Sequence, residues 1–129
     1  METSRQTIAV VDDDEMVRDS LRALLETFSY TVIDFADGDS YLERDPCTST
    51  HCLILDAHMP RKSGFEVLRA LRTSGDMTPV IMITGRNDRL LEARAQAESS
   101  VVILDKPLPK ARLLAAIESA LSEPCAVGR

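Results

Sequence analysis

Short strand-forming runs alternate with stretches of helical periodicity along the whole chain. The runs fall at residues 7–11, 31–36, 52–55, 79–84 and 101–104, and their length and apolar, β-branched content predict strands, most of them buried. Between and after them, apolar residues recur every three or four positions, which is typical of a helix face that packs on a core. Because parallel neighbours need a crossover helix, this alternation predicts a parallel sheet covered on both faces.

Caps and periodicity predict five helices. Asp14 is the expected N-cap of the first, and Ser63 that of the third, which should span about residues 64–72. A short second helix is expected around residues 40–44, a fourth follows the fourth strand, and the last begins near Pro109. The apolar residues predicted to line the inner faces are Val17, Leu21, Leu24, Leu25 and Phe28 in the first helix, Phe65, Leu68 and Leu71 in the third, and Leu113, Leu114, Ile117 and Leu121 in the last.

This order of elements favours one α/β fold class. A chain of 129 residues has room for one domain with its own core. Right-handed crossovers and the short length fit a single-domain, flavodoxin-like (βα)5 fold, a doubly wound parallel five-stranded sheet of order 2-1-3-4-5. We expect residues 1–123 to form this domain and residues 124–129 to be a tail or the start of a linker.

Composition and charge exclude several classes of protein. The net charge of −6 argues against direct binding of nucleic acid by this domain, because the surface would repel phosphates. No apolar run approaches the roughly 20 residues of a membrane helix. The three cysteines, Cys47, Cys52 and Cys125, have neither an even count nor metal-ligand spacing, and Cys52 is expected to be a buried hydrophobe. We therefore expect a reduced, cytoplasmic protein.

Polar side chains stand at the carboxyl ends of four predicted strands. Asp12 and Asp13 follow the first strand, Asp56 the third, Thr84 ends the fourth, and Lys106 follows the fifth. Ligands of open α/β sheets bind at this edge. Carboxylates that converge there would repel one another, so the sequence predicts a hard divalent cation, Mg²⁺ above all and Mn²⁺ as a substitute.

The same set of residues suits phosphoryl chemistry. The Lys106 ammonium and the Thr84 hydroxyl are donors for phosphate oxygens, and a carboxylate such as Asp56 can attack phosphorus to form an aspartyl-phosphate. Each residue alone has an ordinary explanation: acids favour helix N-termini, threonines end strands, and most lysines are solvated. Four separate strand ends that supply acid, acid, hydroxyl and ammonium together favour the phosphoryl-transfer interpretation.

The segments VVDDDE, LDAHMPRKSG, VIMITG and LDKPL resemble the receiver domain of two-component response regulators over nearly the whole chain, and the ITG segment and KP motif are similar to those of the FixJ-like receivers. The resemblance implies that Asp56 accepts a phosphoryl group from a sensor histidine kinase. It implies that Asp12, Asp13, Asp56 and the backbone carbonyl of His58 bind Mg²⁺. Thr84 and Lys106 would hold the phosphoryl group, and Lys106–Pro107 would be a cis peptide bond. The resemblance also implies that the protein is not an enzyme and that its only chemistry is its own phosphorylation and dephosphorylation.

The chain departs from the family pattern in three places. Ile103 stands where the family has an aromatic residue that follows the threonine during switching. Residues 98–100, Glu-Ser-Ser, replace the usual small turn before the last strand. His58 and Arg86 occupy the two variable positions that flank the phosphate pocket, where they either tune hydrolysis of the phosphoryl group or are solvated loop residues.

Alternatives remain for the output and for the function class. The resemblance implies that phosphorylation biases a face made by the fourth helix, the fifth strand and the last helix, with a phosphorylation-dependent homodimer as one outcome. The chain is either a complete single-domain receiver or the N-terminal part of a FixJ-like DNA-binding transcriptional regulator. A haloacid-dehalogenase-like phosphatase would need a second aspartate where His58 stands. A flavodoxin would need hydroxyls in its first loop to bind phosphate, where this chain has Asp-Asp-Asp-Glu.

Overall fold

The computed structural model describes residues 6–45, 50–85, 93, 101–105 and 110–122. Their strands and helices follow the predicted alternation. In chain order they are β1 (Thr7–Val11), α1 (Glu15–Thr27), β2 (Thr31–Phe35), α2 (Gly38–Leu42), β3 (Cys52–Asp56), α3 (Gly64–Thr73), β4 (Val80–Thr84), β5 (Val101–Asp105) and α4 (Lys110–Ser122). The predicted helix around Leu90 and Leu91, the Lys106–Pro107 bond and the tail at 124–129 lie outside the described residues.

The five strands form one parallel sheet of order β2-β1-β3-β4-β5, which confirms the predicted fold class. Every residue of β3 and β4 is buried. Each of these strands pairs with a neighbour on both sides and is covered on both faces, so its side chains find no solvent. The uninterrupted apolar runs of the sequence follow from this position, and the polar residues at the ends of the runs lie at one edge of the sheet.

Two apolar clusters cover the two faces of the sheet. In β1, Ala9 and Val11 join one cluster, while Ile8 and Val10 join the other, because successive side chains of a strand point to opposite faces. The first cluster takes its helical residues from α2 and α3, and the second from α1 and α4. The sheet is therefore wound on both sides, as the order of elements predicts.

Most of the predicted inward residues are confirmed, with one clear exception. Phe28 was expected inside but is 52% exposed, because α1 ends at Thr27 and Phe28 is its C-cap rather than part of its last turn. In α3, Val67 is fully buried, although periodicity did not single it out, and Phe65 is only half-buried with the guanidinium of Arg69 near its ring.

Helix starts follow the predicted caps. The Asp14 side chain accepts from the Met16 amide at the start of α1, and Ser63 forms a capping box with Glu66 at the start of α3. Helix α2 begins at Gly38, two residues before the expected position, because Asp37 caps it. Among the described residues, no helix combines the length and apolar content needed to cross a membrane.

Candidate functional site

The turn after β1 holds Asp12 in place through its own hydrogen bonds. The Asp12 amide donates to Phe35 O at 3.2 Å, and its carboxylate Oδ1 accepts from the Asp14 amide at 2.8 Å. From α1, Arg18 Nη1 donates to the Asp12 carbonyl oxygen at 2.7 Å. Asp12 is only 3% exposed, and the sequence residue after it, Asp13, faces solvent. The strand end thus presents one buried and one exposed carboxylate.

The end of β3 holds Asp56 at the same edge. Asp56 is 5% exposed, and its Oδ1 accepts from the backbone amide of His58 at 3.1 Å. The next residue, Ala57, donates from its amide to Ile83 O of β4 at 2.8 Å and accepts at its carbonyl from the Gly64 amide at 3.1 Å. The backbone after Asp56 is therefore fixed to β4 on one side and to the start of α3 on the other.

Three carboxylates meet at this edge. Each of Asp12, Asp13 and Asp56 offers an oxygen, and the three oxygens lie within 4.8 Å of one another. Negative charges at this spacing repel, most strongly where two of the groups are removed from water. An oxygen-only donor set with a high negative charge fits Mg²⁺ or Mn²⁺, which prefer oxygen ligands and retain water in partly open sites. The three carboxylates predicted as metal ligands are thus brought together by the fold, and the predicted role of the His58 carbonyl stays a prediction.

Thr84 is the last residue of β4, at the same edge of the sheet as these carboxylates, and is 1% exposed. Its hydroxyl Oγ1 is 3.1 Å from Nε2 of the His58 imidazole. The β3–β4 register pairs Asp56 with Ile83, so the loop that follows Asp56 runs beside the end of β4. From the sequence, the His58 carbonyl is a predicted metal ligand and its side chain either tunes hydrolysis of the phosphoryl group or is solvated. A contact with the Thr84 hydroxyl is not among these predictions.

Lys106 lies outside the described residues, so its predicted role stays a prediction. The β4–β5 register pairs Thr84 with Asp105, which places the end of β5 beside the end of β4. Lys106 follows Asp105 directly in the sequence. The other residue of β5 with a predicted consequence, Ile103, is half-buried and packs against the cluster that contains Met82, its register partner.

Comparisons with known proteins agree on one family. The sequence model of the response regulator receiver domain family matches residues 8–118. The transcriptional regulatory protein FixJ of Bradyrhizobium diazoefficiens is 36% identical over 126 residues, which cover 96% of this chain and 62% of that protein. The crystal structure of FixJ-N superimposes with a TM-score of 0.86 at 30% identity and covers 97% of this chain and 100% of that one. The chemotaxis protein CheY4 of Vibrio cholerae gives a TM-score of 0.83 at 26% identity, over 92% of this chain and 100% of that one.

The chain spans only part of the curated relatives it matches. It covers 62% and 58% of two FixJ proteins and 53% of the response regulator protein TodT of Pseudomonas putida. The similarity therefore concerns the portion of those relatives that this chain represents.

Proposed function

Because the chain belongs to the response regulator receiver domain family, we propose that Asp56 accepts a phosphoryl group from the phosphohistidine of a sensor histidine kinase. Receivers of this family are signalling switches that work with histidine kinases, rather than classical enzymes. The observation that carries the proposal is the position of Asp56: a buried strand-end carboxylate with an oxygen within 4.8 Å of the oxygens of Asp12 and Asp13.

Receivers bind Mg²⁺ in an acidic pocket, and we assign this pocket to Asp12, Asp13 and Asp56, with the backbone carbonyl of His58 as a fourth ligand. When bound, the ion supplies positive charge that offsets the carboxylates and the transferring phosphoryl group. Support comes from the donor set itself, three carboxylates at one sheet edge with two of them buried. The Asp14 amide donates to Asp12 Oδ1 and the His58 amide to Asp56 Oδ1, so both carboxylates are oriented by the backbone.

The proposed reaction is a displacement at phosphorus. A carboxylate oxygen of Asp56 forms the new O–P bond, the P–N bond to the kinase histidine breaks, and its electron pair stays on the imidazole nitrogen, which takes a proton from water. The Thr84 hydroxyl and the Lys106 ammonium then bind phosphoryl oxygens. Water later attacks the phosphorus of the acyl phosphate, which releases inorganic phosphate and restores the carboxylate. Phosphorylation from a small phosphodonor and this hydrolysis are the only chemistry we assign to the chain.

The phosphorylated form would signal through a change of shape. Recruitment of Thr84 to the phosphoryl group links the site to β4 and to the chain that follows it. We propose that the output face includes β5 and α4, together with residues 86–100, most of which lie outside the described part of the chain, and that a homodimer through this face is one readout. Ile103 has no aromatic ring to follow Thr84, so the change would depend on aliphatic packing against the core.

A second proposal concerns the longer protein. The FixJ and TdiR relatives are named transcriptional regulatory proteins, and this chain corresponds to between one half and two thirds of their length. We propose that the chain acts as the N-terminal receiver of such a DNA-binding regulator. The reading frame downstream of residue 129 tests this directly: a helix-turn-helix domain supports it, and a stop codon contradicts it.

Labelling with acetyl phosphate tests the acceptor assignment. The wild-type protein should gain one phosphoryl group in Mg²⁺ by intact mass, lose it slowly, and gain none in excess EDTA. Asp56→Asn should gain none, while the matched control Asp19→Asn, an exposed aspartate on α1, should label like the wild type. Full labelling of Asp56→Asn would contradict the assignment. Sustained turnover of p-nitrophenyl phosphate would instead favour a haloacid-dehalogenase-like hydrolase.

A further inference from the structure

The imidazole of His58 makes a contact that the proposed phosphotransfer does not use. We infer that His58 is a positioning residue whose imidazole holds the Thr84 hydroxyl, so that a phosphoryl group on Asp56 must compete with it for that hydroxyl. The inference rests on the proposed role of Asp56 as acceptor. It assigns His58 a part in setting how readily the site is occupied, through the contact between His58 Nε2 and Thr84 Oγ1, here called the His58–Thr84 contact.

His58 contacts both Asp56 and Thr84. The His58 backbone amide donates to Asp56 Oδ1 at 3.1 Å, and its side-chain Nε2 lies 3.1 Å from Thr84 Oγ1. The hydrogen bond from the amide fixes the backbone position of His58. From there, the imidazole extends from the loop after β3 to the end of β4. The side chain therefore lies between the two strand ends that the phosphoryl group would have to connect.

The Thr84 hydroxyl carries a single proton, and phosphoryl oxygens only accept hydrogen bonds. To bind the phosphoryl group, this hydroxyl must direct its proton toward it. We assign Nε2 as the acceptor in the His58–Thr84 contact, which means that the same proton is held by the imidazole. Phosphoryl binding then requires the His58–Thr84 contact to break. The free energy of that contact therefore reduces the favourable binding free energy of the phosphoryl group at this site.

Phosphorylation of Asp56 would weaken the hold of His58 from both ends. The His58 amide donates to a charged carboxylate, and such charge-assisted hydrogen bonds are roughly twice as strong as neutral ones. Formation of the acyl phosphate removes that charge from the carboxyl group, so the hydrogen bond from the His58 amide weakens. At the same time the phosphoryl oxygens offer Thr84 a charged acceptor in place of a neutral ring nitrogen. Both changes act in the same direction and release the imidazole toward solvent, where His58 is already exposed.

Two substitutions separate the hydrogen bond from the bulk of the side chain. His58→Asn is too short to place a polar atom at the Nε2 position, whereas His58→Gln reaches it. Beryllofluoride in Mg²⁺ serves as the phosphoryl mimic, and calorimetric titration gives its affinity. Because a neutral hydrogen bond contributes about 0.5–1.5 kcal/mol, His58→Asn should bind beryllofluoride about two- to tenfold more tightly than the wild type. His58→Gln should remain close to the wild type.

A cycle with Thr84→Ala identifies the partner. In that background, His58→Asn should leave the affinity unchanged, because no hydroxyl remains to be held. His51→Asn is the control: His51 lies before β3, at the opposite edge of the sheet, where its Nδ1 accepts from the Thr7 amide. Weaker or unchanged binding by His58→Asn, or the same gain in the Thr84→Ala background, would overturn the inference. If the wild type itself binds no beryllofluoride, the proposed function fails first, and the inference with it.

Discussion

Gly64 lies directly against the backbone of Asp56. Its amide donates to the carbonyl oxygen of Ala57 at 3.1 Å, and a Cβ on Gly64 would overlap the Asp56 carbonyl oxygen and crowd the Ala57 Cα. The first residue of α3 therefore fixes the backbone that carries the proposed acceptor. The helix can come this close to the strand end only because glycine has no side chain.

We expect Gly64→Ala to displace this backbone and damage the site. The neighbouring atoms are main-chain atoms that cannot rotate away, so the free energy of unfolding should fall by about 1–3 kcal/mol and beryllofluoride binding should weaken at least tenfold. Gly75→Ala is the matched control: Gly75 has φ of 90° and open space around it. It should lower stability through backbone strain of about 1 kcal/mol without changing binding. Equal binding losses in both variants would contradict this view.

Arg61 adopts a left-handed backbone conformation, with φ of 68°, in the loop between β3 and α3. This conformation suits glycine and strains other residues. Arg61→Gly should raise the free energy of unfolding by about 0.5–1 kcal/mol, measured by urea denaturation. The lost ion pair to Asp37, at 3.8 Å with Arg61 77% exposed, contributes little. Arg61→Ala removes the same charge but keeps the strain, so an equal gain in that variant would refute the explanation.

How far the sequence predicts this molecule depends on which interactions decide each feature. Strand bounds were predicted within a residue because β3 and β4 are buried on both faces and so must be apolar throughout. The gathering of Asp12, Asp13, Asp56 and Thr84 follows from topology, since parallel strands end at a common edge. These features need no knowledge of side-chain geometry.

Features that depend on loop geometry could not be predicted. The His58–Thr84 contact exists because the loop after Asp56, fixed by the Ala57 and Gly64 hydrogen bonds, returns the imidazole to β4. Hydrophobic periodicity carries no information about that path. Phe28 was misassigned for a related reason: periodicity continues across a helix end, whereas the chain turns there. In α3, Val67 is buried and Phe65 is not, and this difference likewise depends on the rotation of the helix about its axis against the sheet.

Removal of one carboxylate should show the repulsion within the acidic cluster. Asp13 is exposed, so Asp13→Asn should fold normally and, without Mg²⁺, should melt at a higher temperature than the wild type because one like charge is gone. The wild type should gain about 1–3 kcal/mol of stability in saturating Mg²⁺, and Asp13→Asn much less. Thermal melts with and without the ion measure both effects, and Asp19→Asn should behave like the wild type. A full Mg²⁺ response in Asp13→Asn would exclude Asp13 as a ligand.

A second carboxylate, remote from the site, should control stability in acid. Burial of Asp76 acts to raise its pKa, but hydrogen bonds from the Thr78 amide and hydroxyl, together with Arg44, outweigh it and leave the pKa below the usual 3.8. The charged form is therefore the one that the fold stabilises. Its contribution is fully present above the unfolded-state pKa and is lost as the pH falls through the folded-state pKa.

Asp76→Asn should therefore be less stable than the wild type by about 1–2 kcal/mol near pH 7, because the amide lacks the charge that strengthens the bonds to Thr78 and Arg44. The difference should shrink as the wild-type carboxyl becomes protonated in acid. Urea denaturation of both proteins across the acid range measures it. Asp39→Asn is the control: it removes a carboxylate that lies 3.5 Å from the half-exposed ammonium of Lys62, and a surface ion pair of this kind contributes little to stability. A stability difference between Asp76→Asn and the wild type that stays constant down to the most acidic samples would mean that the ionisation of Asp76 is not its source.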